Sequence, residues 1–209
     1  ESAYNARLND GILTPVRKSS ETGFSAADAS HKTIYRHGDE WISFANEVWA
    51  ANGPVAQDRL YYTGDGAPKM RISGVVYPLA IATPSVALSA TATGTGSGDV
   101  QSRTYCYTWV SDFGEESAPS PASSLIDWQP GQTVTLSGFG TTPTGRSISK
   151  QRIYRSQTGS AGTYFYLIAE RAASTSDFTD SVAVDAIQEV LPSSDWTPPP
   201  DELSGLISM

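Results

Sequence analysis

The chain has 209 residues, and its 22 acidic side chains against 14 basic ones give a formal net charge of −8. That balance argues against a surface built to hold nucleic-acid phosphates, and the single cysteine, Cys106, excludes an intramolecular disulfide or a cysteine zinc cluster. Charged residues make up only 17% of the sequence beside 18 glycines and 13 prolines, which suits short strands joined by many turns better than helices. No apolar run approaches the roughly 20 residues a spanning helix needs, so membrane insertion is not expected. The opening "ESAYNARLND" lacks a charged-then-apolar leader. A start at Glu1 and an apolar ending "GLISM" point to a processed or truncated piece of something longer.

In chain order, residues 1–30 carry Pro15, Gly23 and many small polar residues, and are expected to form an extended N-terminal arm with little core of its own. Residues 31–80 are expected to form a β-meander. "KTIYRHGDEWISF" gives two runs around Gly38-Asp39, "DRLYYTGDGAPKMRI" another pair around Gly64-Asp65-Gly66, and "GVVYPL" a closing strand. "EWISFANEVWAA" also fits a helix, because Trp41, Phe44, Ala45 and Val48 fall at helical spacing; strands are slightly favoured.

Residues 81–193 carry six or seven short strands with turn signals between them, the pattern of an antiparallel sandwich. "PSVALSATAT" sets Val86, Leu88 and Ala90 on one side, and "RTYCYTWV" reads as a strand buried on both faces. "SDFGEESAPSPAS" breaks that strand, "TVTLSG" pairs Val134 with Leu136, and "RIYRSQTGSAGTYFYLIAE" is a hairpin. In its second arm Phe165, Leu167 and Ala169 alternate with Tyr164, Tyr166 and Ile168. A last strand centres on Phe178. Residues 194–209 form a proline-rich exit segment, since Pro198, Pro199 and Pro200 lack the donors a sheet needs. No internal repeat recurs at a fixed period.

Motifs for chemistry fail one by one. "GTTPTGRS", residues 140–147, has the glycine spacing of a phosphate loop, but Arg146 stands where lysine is required and a β-leaning run follows in place of a helix. His31 and His37 are far in sequence from Cys106, which alternates with aromatic residues as a buried thiol does. Asp177, Asp180 and Asp185 are close enough in sequence to meet around calcium but match no loop pattern, and aspartates in Asx turns occupy the same places. Glu115 and Glu116 are adjacent and tend to point apart, which disfavours an acid–base pair. No catalytic residue, cofactor or metal is therefore expected. Tyr61, Tyr62, Trp128 and Trp196 remain as a possible interaction surface, either a sugar-stacking platform or a subunit contact.

"TYCYTWVSDFGEESAPSPAS" resembles the part of fibronectin type III-like domains where an aromatic strand runs into a Gly-Glu-Ser turn and then proline. "QRIYRSQTGSAGTYFYLIAERAASTSDFTD" resembles the hairpin and final strand of such modules in bacterial and viral proteins. The resemblance implies an all-β chain: an Ig-like or fibronectin III-like antiparallel β-sandwich on an N-terminal β-rich segment. "DRLYYTGDGAPKM", the sandwich and "LPSSDWTPPPDELSGLISM", in that order, look like the N-terminal portion of tail nozzle or tail tubular proteins of short-tailed bacteriophages. That likeness implies a non-enzymatic virion subunit in the phage tail, whose partners are identical subunits in a ring around the DNA channel and other tail proteins. It also implies a fragment, because proteins of that family are considerably longer. The alternative is a module that binds carbohydrate or another cell-surface ligand.

Overall fold

The computed structural model describes residues 6–9, 12–15, 23–26, 28–53, 58–159 and 162–206. These residues are all-β, in small antiparallel sheets, with one 3-10 turn at Val184–Ala186 and no α-helix. The strands are β1 (Ala6–Asn9), β2 (Ile12–Pro15), β3 (Thr33–His37), β4 (Glu40–Phe44), β5 (Trp49–Asn52), β6 (Arg59–Thr63), β7 (Lys69–Ile72) and β8 (Val75–Pro78). They continue with β9 (Ser89–Thr93), β10 (Gln101–Arg103), β11 (Tyr105–Ser111), β12 (Ile126–Trp128), β13 (Thr133–Ser137), β14 (Ile148–Gly159), β15 (Gly162–Ala172) and β16 (Phe178–Asp180). Contacts divide the chain into two units, Glu1–Glu47 and Val48–Met209.

In the first unit, the stretch read as an extended arm contains a two-stranded ladder, β1 with β2; most of its other residues lie outside the described ones. β3 and β4 form a hairpin whose turn is made by Gly38 and Asp39, with Gly38 at φ 59°, a left-handed conformation that costs glycine little. Trp41 is held extended by its pairing with Arg36, whose guanidinium lies 5.9 Å from the indole, and by stacking on Phe24 at 6.0 Å. Residues 41–51, whose spacing also fits a helix, are thus strand at both ends.

In the second unit, β5 to β8 make a four-stranded meander in sequence order. Its buried side chains Leu60, Tyr62, Met70 and Ile72 alternate along β6 and β7, as one covered face of a sheet requires. Two three-stranded sheets follow, ordered β11-β14-β15 and β16-β13-β9, beside a short β10-β12 pair.

Both three-stranded sheets feed one core. Tyr105, Tyr107, Trp109, Ile153 and Ile168 come from the first, Val134 and Leu136 from the second, and Leu88 and Phe139 from the flanking segments. Tyr107 meets Trp109 and Phe139 edge-on at 5.2 and 5.1 Å, the geometry that ring quadrupoles favour. Its hydroxyl accepts the Gly140 amide at 2.9 Å. A Cβ on Gly140 would stand 3.1 Å from that hydroxyl, a tight approach that would push the hydroxyl back by a few tenths of an ångström.

β11 is buried along its whole length, because its other face has a core too. Cys106 packs there with Tyr154, Leu167 and Leu191.

Two sequence expectations fail here. Val86 is 54% exposed, since β9 begins only at Ser89 and alternation does not extend back to it. Ala169 does not share a face with Leu167. A bulge between Ile153 and Tyr154 opposes Ala169 to the first and Leu167 to the second, so Ile168 and Ala169 both meet the larger core.

The segment "SAPSPAS" breaks the strand pattern as expected, forming no strand of its own, and in doing so closes the open edge of β11. The amides of Ser117, Ser120 and Ser123 donate to the carbonyls of Trp109, Tyr107 and Tyr105 at 2.9, 2.8 and 2.8 Å. The three serine hydroxyls accept the amides of the same three residues at 2.9, 3.2 and 3.0 Å. A proline-bearing chain cannot donate at every residue, and the serine oxygens supply acceptors that the spacing of its own carbonyls does not. Residues 188–191 cover the opposite edge by exchanging amide bonds with β15 at Leu167 and Phe165.

Candidate functional site

The four aromatic residues singled out in the sequence sit in different surroundings. Tyr62 is buried in the meander, its hydroxyl pKa raised by burial and then by the charge of Asp65; Tyr61, next to it on β6, is half-buried. Trp128 ends β12, donates its indole Nε1–H to the Gln132 carbonyl at 2.8 Å, and has one face covered by the Arg103 guanidinium, 3.2 Å from its ring centre. Trp196 is 52% exposed and borders a cleft of about 230 Å³ that also meets Ile81, Glu115, Arg146 and Pro198. The proline-rich exit segment thus lies against the connection that follows β8.

Among the described residues, three clusters of charged side chains lie in the second unit around its cores. At the junction of the meander with the larger core, Glu115 receives Arg146 and lies 3.6 Å from Arg59. Arg59 in turn stands 5.5 Å from the Phe113 ring, which meets Tyr77 of β8 edge-on. The adjacent Glu116 turns to a different group: its carboxylate accepts Thr108 at 2.7 Å, Arg152 at 2.8 Å and the Tyr154 hydroxyl. Burial and then that carboxylate raise the Tyr154 pKa, so the phenol is a neutral donor. The two neighbouring glutamates are thus fully engaged on separate partners.

The third cluster was not anticipated as a unit. Asp180, at the end of β16, accepts the Tyr105 hydroxyl at 2.9 Å and Arg155 Nη1 at 2.9 Å on one oxygen, and the Val182 amide at 2.9 Å on the other. Arg103 Nη1 lies 3.9 Å away. Arg155 is 0% exposed, Asp180 1% and Arg103 3%. This buried ion pair ties β14 to β16 across the core. Tyr105 and Arg155 are register partners of β11 and β14, so the cluster is set by strand pairing and had no signal in sequence spacing.

Most candidates for chemistry are held in structural contacts, whereas His37 Nε2 is buried without a hydrogen-bond partner among the described residues. Cys106 is buried, and burial, then the Glu116 charge, pushes its thiol up to about 12, so no thiolate forms at neutral pH. His31 shares a hydrogen bond with Ser43 at 2.7 Å, and His37 is buried at the end of β3. The loop at 140–147 leads straight into β14, with Arg146 directed to Glu115. Asp180 is committed to arginines and Asp177 offers its backbone carbonyl to Arg171 at 3.2 Å. Among the described residues no group of three or more His, Cys, Asp or Glu is arranged to hold a metal, and no helix is long and apolar enough to cross a membrane. No protein-family model matches the chain, and no curated protein matches it.

Proposed function

We propose that the chain is a non-enzymatic structural subunit of a phage tail, of the nozzle or tail tubular kind, working as one copy among identical neighbours around the DNA channel. On this reading the two three-stranded sheets and their shared core are the halves of an Ig-like, fibronectin III-like sandwich. The phrasing of residues 81–190 supports that assignment. A core filled from both sheets, with Tyr107 from one and Leu136 from the other, fits it. The exit segment would lead toward the further β-rich body that longer proteins of this kind carry.

One observation carries the subunit reading. β8 is an edge strand of the meander, and its Val75 and Val76 are 53% and 49% exposed. An uncharged apolar edge is a liability for a free monomer and an asset for a chain that meets a neighbouring copy. The central chemistry-bearing side chains, by contrast, are spent on one another: Glu116 on three donors, Asp180 on Tyr105 and Arg155.

The test is competitive incorporation. Val76→Lys changes an exposed position, where effects on stability stay within about 0.5 kcal/mol, and places a charge on the edge. The variant should fold as the parent does yet be excluded from assembled particles when both are supplied together. Equal incorporation of the two would sink the proposal.

A further inference from the structure

The Arg103–Arg155–Asp180 cluster has an imbalance that the packing does not resolve. Two guanidinium groups share one carboxylate, and among the described residues no second carboxylate lies within ion-pair distance of either. Both oxygens of Asp180 are already taken by Tyr105, Arg155 and the Val182 amide. Three buried guanidinium nitrogens have no acceptor: Arg103 Nε and Arg155 Nε and Nη2. Arg103 has only neutral acceptors beside it, Gln101 Oε1 at a long 3.3 Å and the Tyr105 hydroxyl, which Asp180 also engages. Burial, followed by the charge of Arg155, lowers the pKa of Arg103.

This excess borders open space. Arg103 and Asp180 line a cleft of about 270 Å³ whose other walls include Trp128, Gln132, Thr133 and Ser181. The Arg103 guanidinium carbon sits 3.2 Å from the centre of the Trp128 ring, a contact that limits how the donors can turn. A guanidinium held in one plane presents its N–H groups as a fork matched to two oxygens of a carboxylate or phosphate. A buried polar group without a partner costs free energy, and a net buried charge costs more. An anion entering this cleft would relieve both.

We infer that the cleft between β10, β12 and β16 is a binding site for a small oxyanion, a carboxylate or phosphate group received by Arg103 with Arg155 behind it. Arg103 is the contact residue, Trp128 a positioning residue, and Asp180 the counter-charge that keeps the two guanidinium groups from repelling each other apart. The site does not depend on the chain being a tail subunit.

The test titrates the full chain with sodium phosphate and with sodium acetate, each against sodium chloride of equal ionic strength. Thermal unfolding and the assigned Arg103 Nε–H resonance are followed together. Phosphate or acetate should raise the unfolding temperature where chloride does not and should shift the Arg103 resonance saturably; whichever anion binds more tightly identifies the oxyanion preferred. Arg103 is buried, and its replacement risks the fold, so the deciding variant is Gln101→Glu. It places a carboxylate of the chain's own beside Arg103 and should weaken binding of the added anion at least tenfold, while raising the unfolding temperature in its absence. Parental unfolding and resonance that respond to phosphate and acetate no more than to chloride, or equal affinity in Gln101→Glu, would overturn the inference.

Discussion

Replacing Asp180 by asparagine isolates the charge at the centre of the second unit. The amide keeps the shape of the side chain and an oxygen for the Tyr105 hydroxyl, now 2.9 Å from the carboxylate. It leaves Arg155, 0% exposed, and Arg103, 3% exposed, as two buried cations with no counter-charge. Removing one member of a buried pair in this way costs about 3–5 kcal/mol, a large share of the roughly 5–15 kcal/mol that holds a typical domain. With a urea dependence of about 2 kcal/mol per molar, the unfolding midpoint should fall by about 1.5–2.5 M. Tryptophan fluorescence is a suitable reporter, since Trp109 is 2% exposed within the core the pair spans. Near-ultraviolet circular dichroism before denaturant shows whether the variant starts folded. A folded variant whose midpoint falls by less than about 0.5 M would refute the reasoning, because the charges would then be hydrated or balanced by groups other than Asp180.

Ser120→Ala removes the acceptor of the buried Tyr107 amide and should cost about 1–3 kcal/mol, measured by urea unfolding beside Ser124→Ala, whose side chain is exposed and whose loss should be silent. Cys106 should resist thiol reagents in native buffer and react only on unfolding. Its pKa is raised in the folded state from 9.0 to about 12, so the stability linked to it is fully present below about pH 9 and is lost as pH rises toward the folded value. Cys106→Ala should therefore show a shallower loss of urea midpoint between about pH 8 and about pH 10.5 than the parent, and identical slopes would contradict the burial argument.

The strands with strong alternation were legible from the sequence. β11, β13 and the β14–β15 hairpin follow aromatic and branched patterns, and β3, β4, β6, β7 and β8 follow turn residues. β10 and β12 were not, because Gln101–Arg103 and Ile126–Trp128 are three residues each and show no period. The pairing of Ile168 with Ala169 on one face was hidden because a bulge adds a residue without marking the composition. Of the surface expected from Tyr61, Tyr62, Trp128 and Trp196, Tyr62 is buried, Tyr61 and Trp128 are half-buried and Trp196 is exposed, and no local pattern distinguishes a tyrosine turned into a sheet from one turned out of it. The Arg103–Arg155–Asp180 cluster joins positions separated by 25 to 77 residues in the sequence. Such a meeting follows from strand register and not from spacing.

The serine-bearing segment along β11 has a consequence for what changes of length the chain tolerates. Its contacts recur every third residue while those of β11 recur every second. The match is a vernier, holding only while both scales keep their count. A substitution at Pro121 or Ala122, both exposed, leaves each tick where it was. A single inserted residue between Ser117 and Ser120 would move Ser120 and Ser123 off their marks together and strip four hydrogen bonds from one edge. The segment therefore accepts new letters far more readily than a new length, and variation in this region should appear as exchange of residues at a constant distance between the serines.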